Sequence, residues 1–194
     1  MFLKPAQVNN RLKGIQMIYP TLKEEFDQHY QRLEFKDFTD YQRKTLAEEG
    51  KGHEIDCNAY MSAPIADTNA KWSVAPLFVN HMPYPNNRKV LPRLMKTMYW
   101  LGETVYVGIV RLAGKSELGW HFDPDPGRTT VRYRCQLPFS DTISILSVEN
   151  ESRPLAEGKL LVFKSSALHK VENQGENVRF SLIFDIWREG RGRM

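Results

Sequence analysis

Val178-Arg179-Phe180-Ser181-Leu182-Ile183-Phe184-Asp185-Ile186-Trp187 is the stretch that decides the fold. Successive side chains on a strand point to opposite faces. Phe180, Leu182, Phe184 and Ile186 therefore make one wholly apolar face, and Arg179, Ser181, Ile183 and Asp185 line the other. Such a strand covers a core on one side and borders a pocket on the other. The same texture runs back through the second half of the chain, where strands are expected over Thr104 to Leu112, Thr130 to Phe139, Thr142 to Val148 and Lys159 to Lys164. In the second of these, Arg132, Arg134 and Gln136 share one face while Val131, Tyr133, Cys135 and Leu137 share the other. Arginines that merely face solvent are the plain alternative to a polar-lined interior.

Upstream the period changes. Leu22 to Leu33 carries apolar residues at 22, 26, 30 and 33, which predicts an amphipathic helix with Thr21 as N-cap and Glu24 completing a capping box. A weaker helical pattern follows over 35–50, an irregular stretch over 52–69, and an extended one over Trp72 to Val79. Asn87 is expected to cap a helix from Arg88 to Leu101 that Gly102 ends, with Pro92 in its first turns. At 194 residues the chain suits one domain over 1–194. It divides into a helix-rich part (1–103), a β core (104–187) and a basic tail (188–194).

Composition narrows the function classes. With 41% hydrophobic and 26% charged residues the chain reads as an ordinary globular protein. Cys57 and Cys135 are too few for a disulfide framework and lack a zinc-type pairing, which points to a reducing compartment. No apolar leader and no run of roughly 20 apolar residues is present, so a cytoplasmic protein without a membrane partner is expected. The net charge of +4 is spread over the chain apart from Arg188, Arg191 and Arg193, and no nucleic-acid motif accompanies it. A solvated surface explains it better than a nucleic-acid partner.

The chemistry-bearing residues are His121-Phe122-Asp123, His169 and Arg179. On extended backbone His121 and Asp123 face one way and Phe122 the other, and His169, 48 residues on, arrives from a different strand. Two imidazoles and one carboxylate leave positions on a metal open for a bidentate cosubstrate and dioxygen. Residues 171–178 read as a hairpin whose loop is Asn173 to Gly175, with Gly175 at positive φ. That register sets position 179 opposite 169, so Arg179 shares a face with the second histidine. A planar, permanently charged guanidinium there suits clamping the distal carboxylate of a cosubstrate such as 2-oxoglutarate. The other histidines, His29, His53 and His81, fall in the first half and are expected to be dispensable for metal binding.

Gly119-Trp120-His121, Arg132-Tyr133-Arg134-Cys135-Gln136-Leu137, Gly158 to Phe163, His169-Lys170-Val171 and above all Val178 to Trp187 resemble the aspartyl/asparaginyl β-hydroxylase family over roughly residues 72–187. The resemblance implies a double-stranded β-helix, or jelly roll, with N-terminal helices buttressing one sheet. It implies Fe(II), 2-oxoglutarate and O2, with release of succinate and carbon dioxide and hydroxylation of an aspartyl, asparaginyl or related carbon. By motif position His121 and His169 match the family's iron histidines and Arg179 its 2-oxoglutarate arginine. Arg134 matches a second cosubstrate contact, and Gln136 stands where many members have histidine. The better-known animal members lack a carboxylate after the first histidine, whereas this chain keeps Asp123. They also carry secretory or membrane segments, so a peptide, amino acid or small molecule is the expected substrate here. Arg128 and Arg132, with Trp120, are its expected contacts. Hydroxylation of a free amino acid or lipid acyl chain, and a metal-binding β-barrel module without turnover, are the alternatives. The oligomeric state is left open.

Overall fold

The two-faced strands resolve into two facing sheets. The structure, a computed structural model, describes residues 1–37, 72–79, 82–102, 104–121, 123 and 132–187. The first half supplies β1 (Phe2–Leu3), α1 (Pro5–Val8), α2 (Leu12–Met17), α3 (Tyr19–His29), a 3-10 turn (Tyr30–Arg32) and β2 (Lys36–Asp37). Then come β3 (Trp72–Val79), β4 (Met82–Pro83), α4 (Pro85–Val90) and α5 (Pro92–Leu101). The second half supplies β5 (Thr104–Leu112), β6 (Ser116–His121), β7 (Arg132–Pro138), β8 (Ser144–Val148), β9 (Glu151–Pro154), β10 (Leu161–Lys164), β11 (His169–Asn173) and β12 (Arg179–Trp187).

Eight strands form a large sheet in the order β1-β10-β7-β12-β5-β3-β2, with β4 on β3. Four form a small one in the order β6-β11-β8-β9. All pairings are antiparallel. This is the expected double-stranded β-helix. The apolar face of β12, with Cys135 and Leu137 of β7, packs under the helices beside Leu22, Phe26, Leu94 and Met98. Phe26 stacks on Phe139 at 4.7 Å between ring centres. The opposite face of the large sheet meets the small sheet through Val74, Tyr106, Val110, Phe163, Leu146, Val148 and Val171. Among the described residues helices thus back only the large sheet, and the polar face of β7 and β12 turns inward. Arg132, Arg134 and Arg179 are buried, which removes the solvent-facing alternative.

Several local expectations change. The first long helix begins at Tyr19, because Pro20 with its fixed φ suits the opening turn. Thr21 lies inside it, its N–H bonded to the Ile18 carbonyl at 3.1 Å, and the Thr21 capping box does not form. The helix expected over 88–101 is two helices broken at Leu91, since Pro92 starts a new one, and Asn87 lies within α4. Gly102 does end α5, at φ 68°. The cap of α5 comes from far away: Glu25 of α3 accepts the N–H groups of Arg93 at 2.7 Å and Leu94 at 2.8 Å. Both donors lie at a buried helix start, where a lost partner is not replaced by water. Glu25→Ala is expected to cost about 2 to 4 kcal/mol, read as a lower urea midpoint, with Glu25→Gln between it and wild type.

The expected hairpin at Asn173 to Gly175 is absent. β11 belongs to the small sheet and β12 to the large one, so the intervening segment crosses between sheets. The Asn173 side chain donates to the carbonyls of Leu112, Ala113 and Asn177 at 2.8–3.1 Å and accepts from Ser144 and Gly175. Gly114 lets the crossing pass, since a Cβ there would lie 2.0 Å from the Glu176 carbonyl oxygen. Gly175 does not take positive φ. The partner of Arg179 in register is consequently Leu112, not His169. Arg128, Phe122, His53, His81, Cys57, the tail 188–194 and most of the helix expected over 35–50 lie outside the described residues. Among the described residues no helix is long and apolar enough to cross a membrane.

Candidate metal centre

His121 ends β6 and His169 begins β11, directly opposite each other in the small sheet. Their ring centres are 4.2 Å apart, and Phe163 of the large sheet packs against His169 at 4.9 Å. Nδ1 of His121 lies 2.7 Å from the Gly119 carbonyl oxygen, and Nδ1 of His169 lies 2.8 Å from that of Ala167. Only an N–H can make such a contact, so the proton is fixed on Nδ1 and Nε2 keeps the lone pair a metal needs. Asp123, just beyond β6, is held by its own N–H on the Ser165 carbonyl at 3.2 Å. Its Oδ2 lies 3.7 Å from His169 Nε2.

These three residues are buried and offer ligand atoms within 4.8 Å of one another, a group that can hold one metal ion. Neutral nitrogens and a hard carboxylate oxygen fit Fe(II). Burial lowers the pKa of His121, partly opposed by the Asp123 charge, and lowers that of His169 well below 6.5, with His121 and Arg134 adding to the effect. Burial also raises the Asp123 carboxyl, against the pull of Arg134.

The sign for the histidines is clear. Below 6.5 the unfolded chain takes up protons that the folded rings refuse, so the metal-free protein loses stability as pH falls through that value. Charging of the buried rings should lower metal affinity only below 6.5, and protonation of the Asp123 carboxyl, raised by burial, adds a loss of its own. Metal titrations at a series of pH values in wild type and in Asp123→Asn check this, and a steep loss above 6.5 that persists without the carboxylate would count against the neutral, buried rings.

Facing the histidines across the interior is the polar row of the large sheet. Arg134 gives Nε and Nη2 to the two oxygens of Asp185 at 2.9 and 3.0 Å, and its Nη1 meets Asp123 Oδ2. Arg132 donates Nε to Ser165 Oγ at 3.1 Å and lies 3.6 Å from Asp185. Gln136 is buried on the same inner face, opposite Ile183. Arg179 is 2% exposed; its Nη1 donates to Ser181 Oγ at 2.8 Å, and its Nε has no partner. No carboxylate pairs with it among the described residues, and desolvation lowers its pKa to about 10.

Trp120 alternates with His121 onto the outer face of the small sheet, where it is 46% exposed and the Lys170 ammonium lies over its ring at 5.6 Å. Asp185 and Ser165 are the residues sequence reasoning did not place at the site. The period-two pattern did set Asp185 on the face bordering the pocket, and a carboxylate on that face of a strand whose other face is wholly apolar is the signal that could have found it.

A buried pair of histidines and an aspartate inside a double-stranded β-helix is a donor set suited to a divalent metal ion. The family comparison is narrower. The chain belongs to the aspartyl/asparaginyl beta-hydroxylase family, whose model matches residues 17–189. Among curated proteins none matches the sequence. Solved structures similar to this chain include a 2OG-Fe(II) oxygenase family oxidoreductase from Burkholderia pseudomallei, at 14% identity and TM-score 0.43, covering 65% of this chain and 74% of that one. A predicted oxalate decarboxylase from Thermotoga maritima is similar at 14% identity and TM-score 0.41, covering 60% and 80%. The Cnp3 cupin domain of Schizosaccharomyces pombe is similar at 8% identity and TM-score 0.42, covering 64% and 70%.

Proposed function

We propose that this chain is an Fe(II)- and 2-oxoglutarate-dependent dioxygenase that hydroxylates an aspartyl, asparaginyl or related amino-acid carbon and releases succinate and carbon dioxide. His121, Asp123 and His169 hold the metal, and Arg179 receives the distal carboxylate of the cosubstrate. The observation that carries this reading is Arg179 itself: a guanidinium 2% exposed, with a bare Nε and, among the described residues, no carboxylate against it. An unpaired buried charge is costly, and a ligand carboxylate is the group that relieves the cost with two charge-assisted hydrogen bonds.

Charge balance supports the same reading. Among the described residues the inner face holds the buried guanidiniums of Arg132, Arg134 and Arg179 and the buried carboxylates of Asp123 and Asp185. A divalent ion adds positive charge there, and a dianionic cosubstrate offsets what the ion brings. Gln136 is the second candidate contact, its amide able both to donate and to accept. Iron, when bound, supplies the redox chemistry that couples decarboxylation of 2-oxoglutarate to insertion of one atom of dioxygen into a C–H bond. The protein's own part is to hold both histidines neutral, to exclude water and to present Arg179.

The substrate is a peptide, an amino acid or another small molecule, in the reducing cytoplasm that the cysteine content suggests. The test is succinate formation by the purified chain with Fe(II) and 2-oxoglutarate, followed by a mass-spectrometric screen of peptides and amino acids for gain of one oxygen. Turnover that needs both additions is the expected result. An iron-loaded protein that never consumes 2-oxoglutarate would be a non-catalytic metal-binding module instead.

A further inference from the structure

We propose that Asp185 is a positioning residue for the metal centre: it fixes Arg134 so that Arg134 in turn orients Asp123. The inference rests on the reading of Asp123 as a metal ligand. It begins with register, since Asp185 and Arg134 stand directly opposite each other on β12 and β7. That pairing lets the carboxylate take Nε and Nη2 of the guanidinium as a two-pronged grip, at 2.9 and 3.0 Å. A planar guanidinium gripped along one side cannot turn, and the nitrogen left over, Nη1, points in one direction only. It makes an ion-pair contact with Oδ2 of Asp123, a buried oxygen that accepts no hydrogen bond among the described residues.

Asp185 is fully buried, so its grip is neither screened nor loosened by water. The main chain of Asp123 is fixed separately, by the Ser165 carbonyl, and Ser165 is itself tied to Arg132 through its N–H on the Arg132 carbonyl at 3.1 Å. With the backbone held on one side and the carboxylate on the other, the freedom left to Asp123 is the rotation of its carboxylate group. Arg134 sets that rotation. Nε and Nη2 are committed to Asp185 and Nη1 lies against Asp123, so the Nε–Nη2 edge is closed to a ligand carboxylate. The second arginine of the motif works on this account through the metal's carboxylate ligand, and Arg179 is left as the two-pronged clamp.

The test uses Co(II) alone as the probe, read by its visible absorption band, so that neither 2-oxoglutarate nor turnover enters. Asp185→Asn keeps the size of the side chain and removes the second acceptor. It is expected to weaken Co(II) binding by about 10- to 100-fold, the range for residues that orient a metal ligand, and to change the shape of the band. In an Asp123→Ala background the same change should alter Co(II) affinity less than twofold, because nothing remains for Arg134 to orient.

An equal loss in both backgrounds would overturn the proposal, since it would show Asp185 acting only through its charge. Asp185→Glu sharpens the distinction. It keeps the charge and displaces the grip, so a wild-type spectrum in that variant also overturns the role. Should Asp185→Asn fail to fold, Arg134→Lys, which cannot reach both carboxylates at once, is measured in the same two backgrounds with the same expectation. If that variant fails as well, these residues belong to the frame alone and the assignment falls. Asp123→Ala with wild-type Co(II) affinity would remove the ligand and the proposal together, whereas 2-oxoglutarate turnover is untouched as a separate question.

Discussion

His169→Ala and His121→Ala are each expected to abolish metal binding at micromolar metal and to abolish turnover with it, while the fold survives. Each ring supplies one Nε2 lone pair, its tautomer fixed by a backbone carbonyl two residues earlier. Changes in the outer shell of a metal site cost 10- to 100-fold, so loss of a donor itself should exceed about 100-fold in affinity. The fold should survive because both rings face the interior from the small sheet, whereas the largest core, under the helices, contains neither. Circular dichroism and a metal titration of the same sample check both halves. A His121→Ala protein that still makes succinate at near wild-type rate would move the site elsewhere.

Arg179→Ala should abolish tight 2-oxoglutarate binding and leave the metal in place. Truncating one partner of a buried, hydrogen-bonded charge pair costs about 2 to 5 kcal/mol, or roughly 30-fold to several thousand-fold in affinity. Arg179→Lys is expected to be damaged too, because an ammonium offers a point charge in place of a fork, and the neighbouring Ser181 hydroxyl would lose its 2.8 Å donor. Calorimetric titration of 2-oxoglutarate into Co(II)-loaded protein measures this without turnover. Unchanged affinity in both variants would transfer the clamp to another residue, with Gln136 the next on the same face.

Much of the architecture was legible because it depends on period-two patterns. The strands Trp72–Val79 and Thr104–Leu112 run as the sequence predicts. The two faces of β12 separate into helix-covered core and polar interior because each side chain's environment follows from its parity. Parity also placed His121 and Asp123 on one side. What parity cannot tell is which strand lies beside which. A short polar segment containing glycine looks the same whether it closes a hairpin or crosses between sheets. The outcome at 173–179 was settled by the contacts of the Asn173 amide with carbonyls 60 and 61 residues away in sequence. The same limit hid the grip of Asp185 on Arg134, since their register arises only once β12 lies next to β7. Helix boundaries failed for a different reason. Pro20 and Pro92 each opened a helix, and the cap of α5 was supplied by Glu25, 68 and 69 residues distant.

The crossing pinned by Asn173 has a consequence for selectivity. His169 closes the metal centre at one end of β11, and Arg179 opens β12 after a segment whose path is locked by five hydrogen bonds to one side chain. The path from His169 to Arg179 is thus fixed, a caliper set into the backbone. On the proposed reading, a dicarboxylate one methylene shorter or longer than 2-oxoglutarate would have to leave one jaw or the other. Discrimination among keto-diacids would then come from the stiffness of a loop that touches none of them.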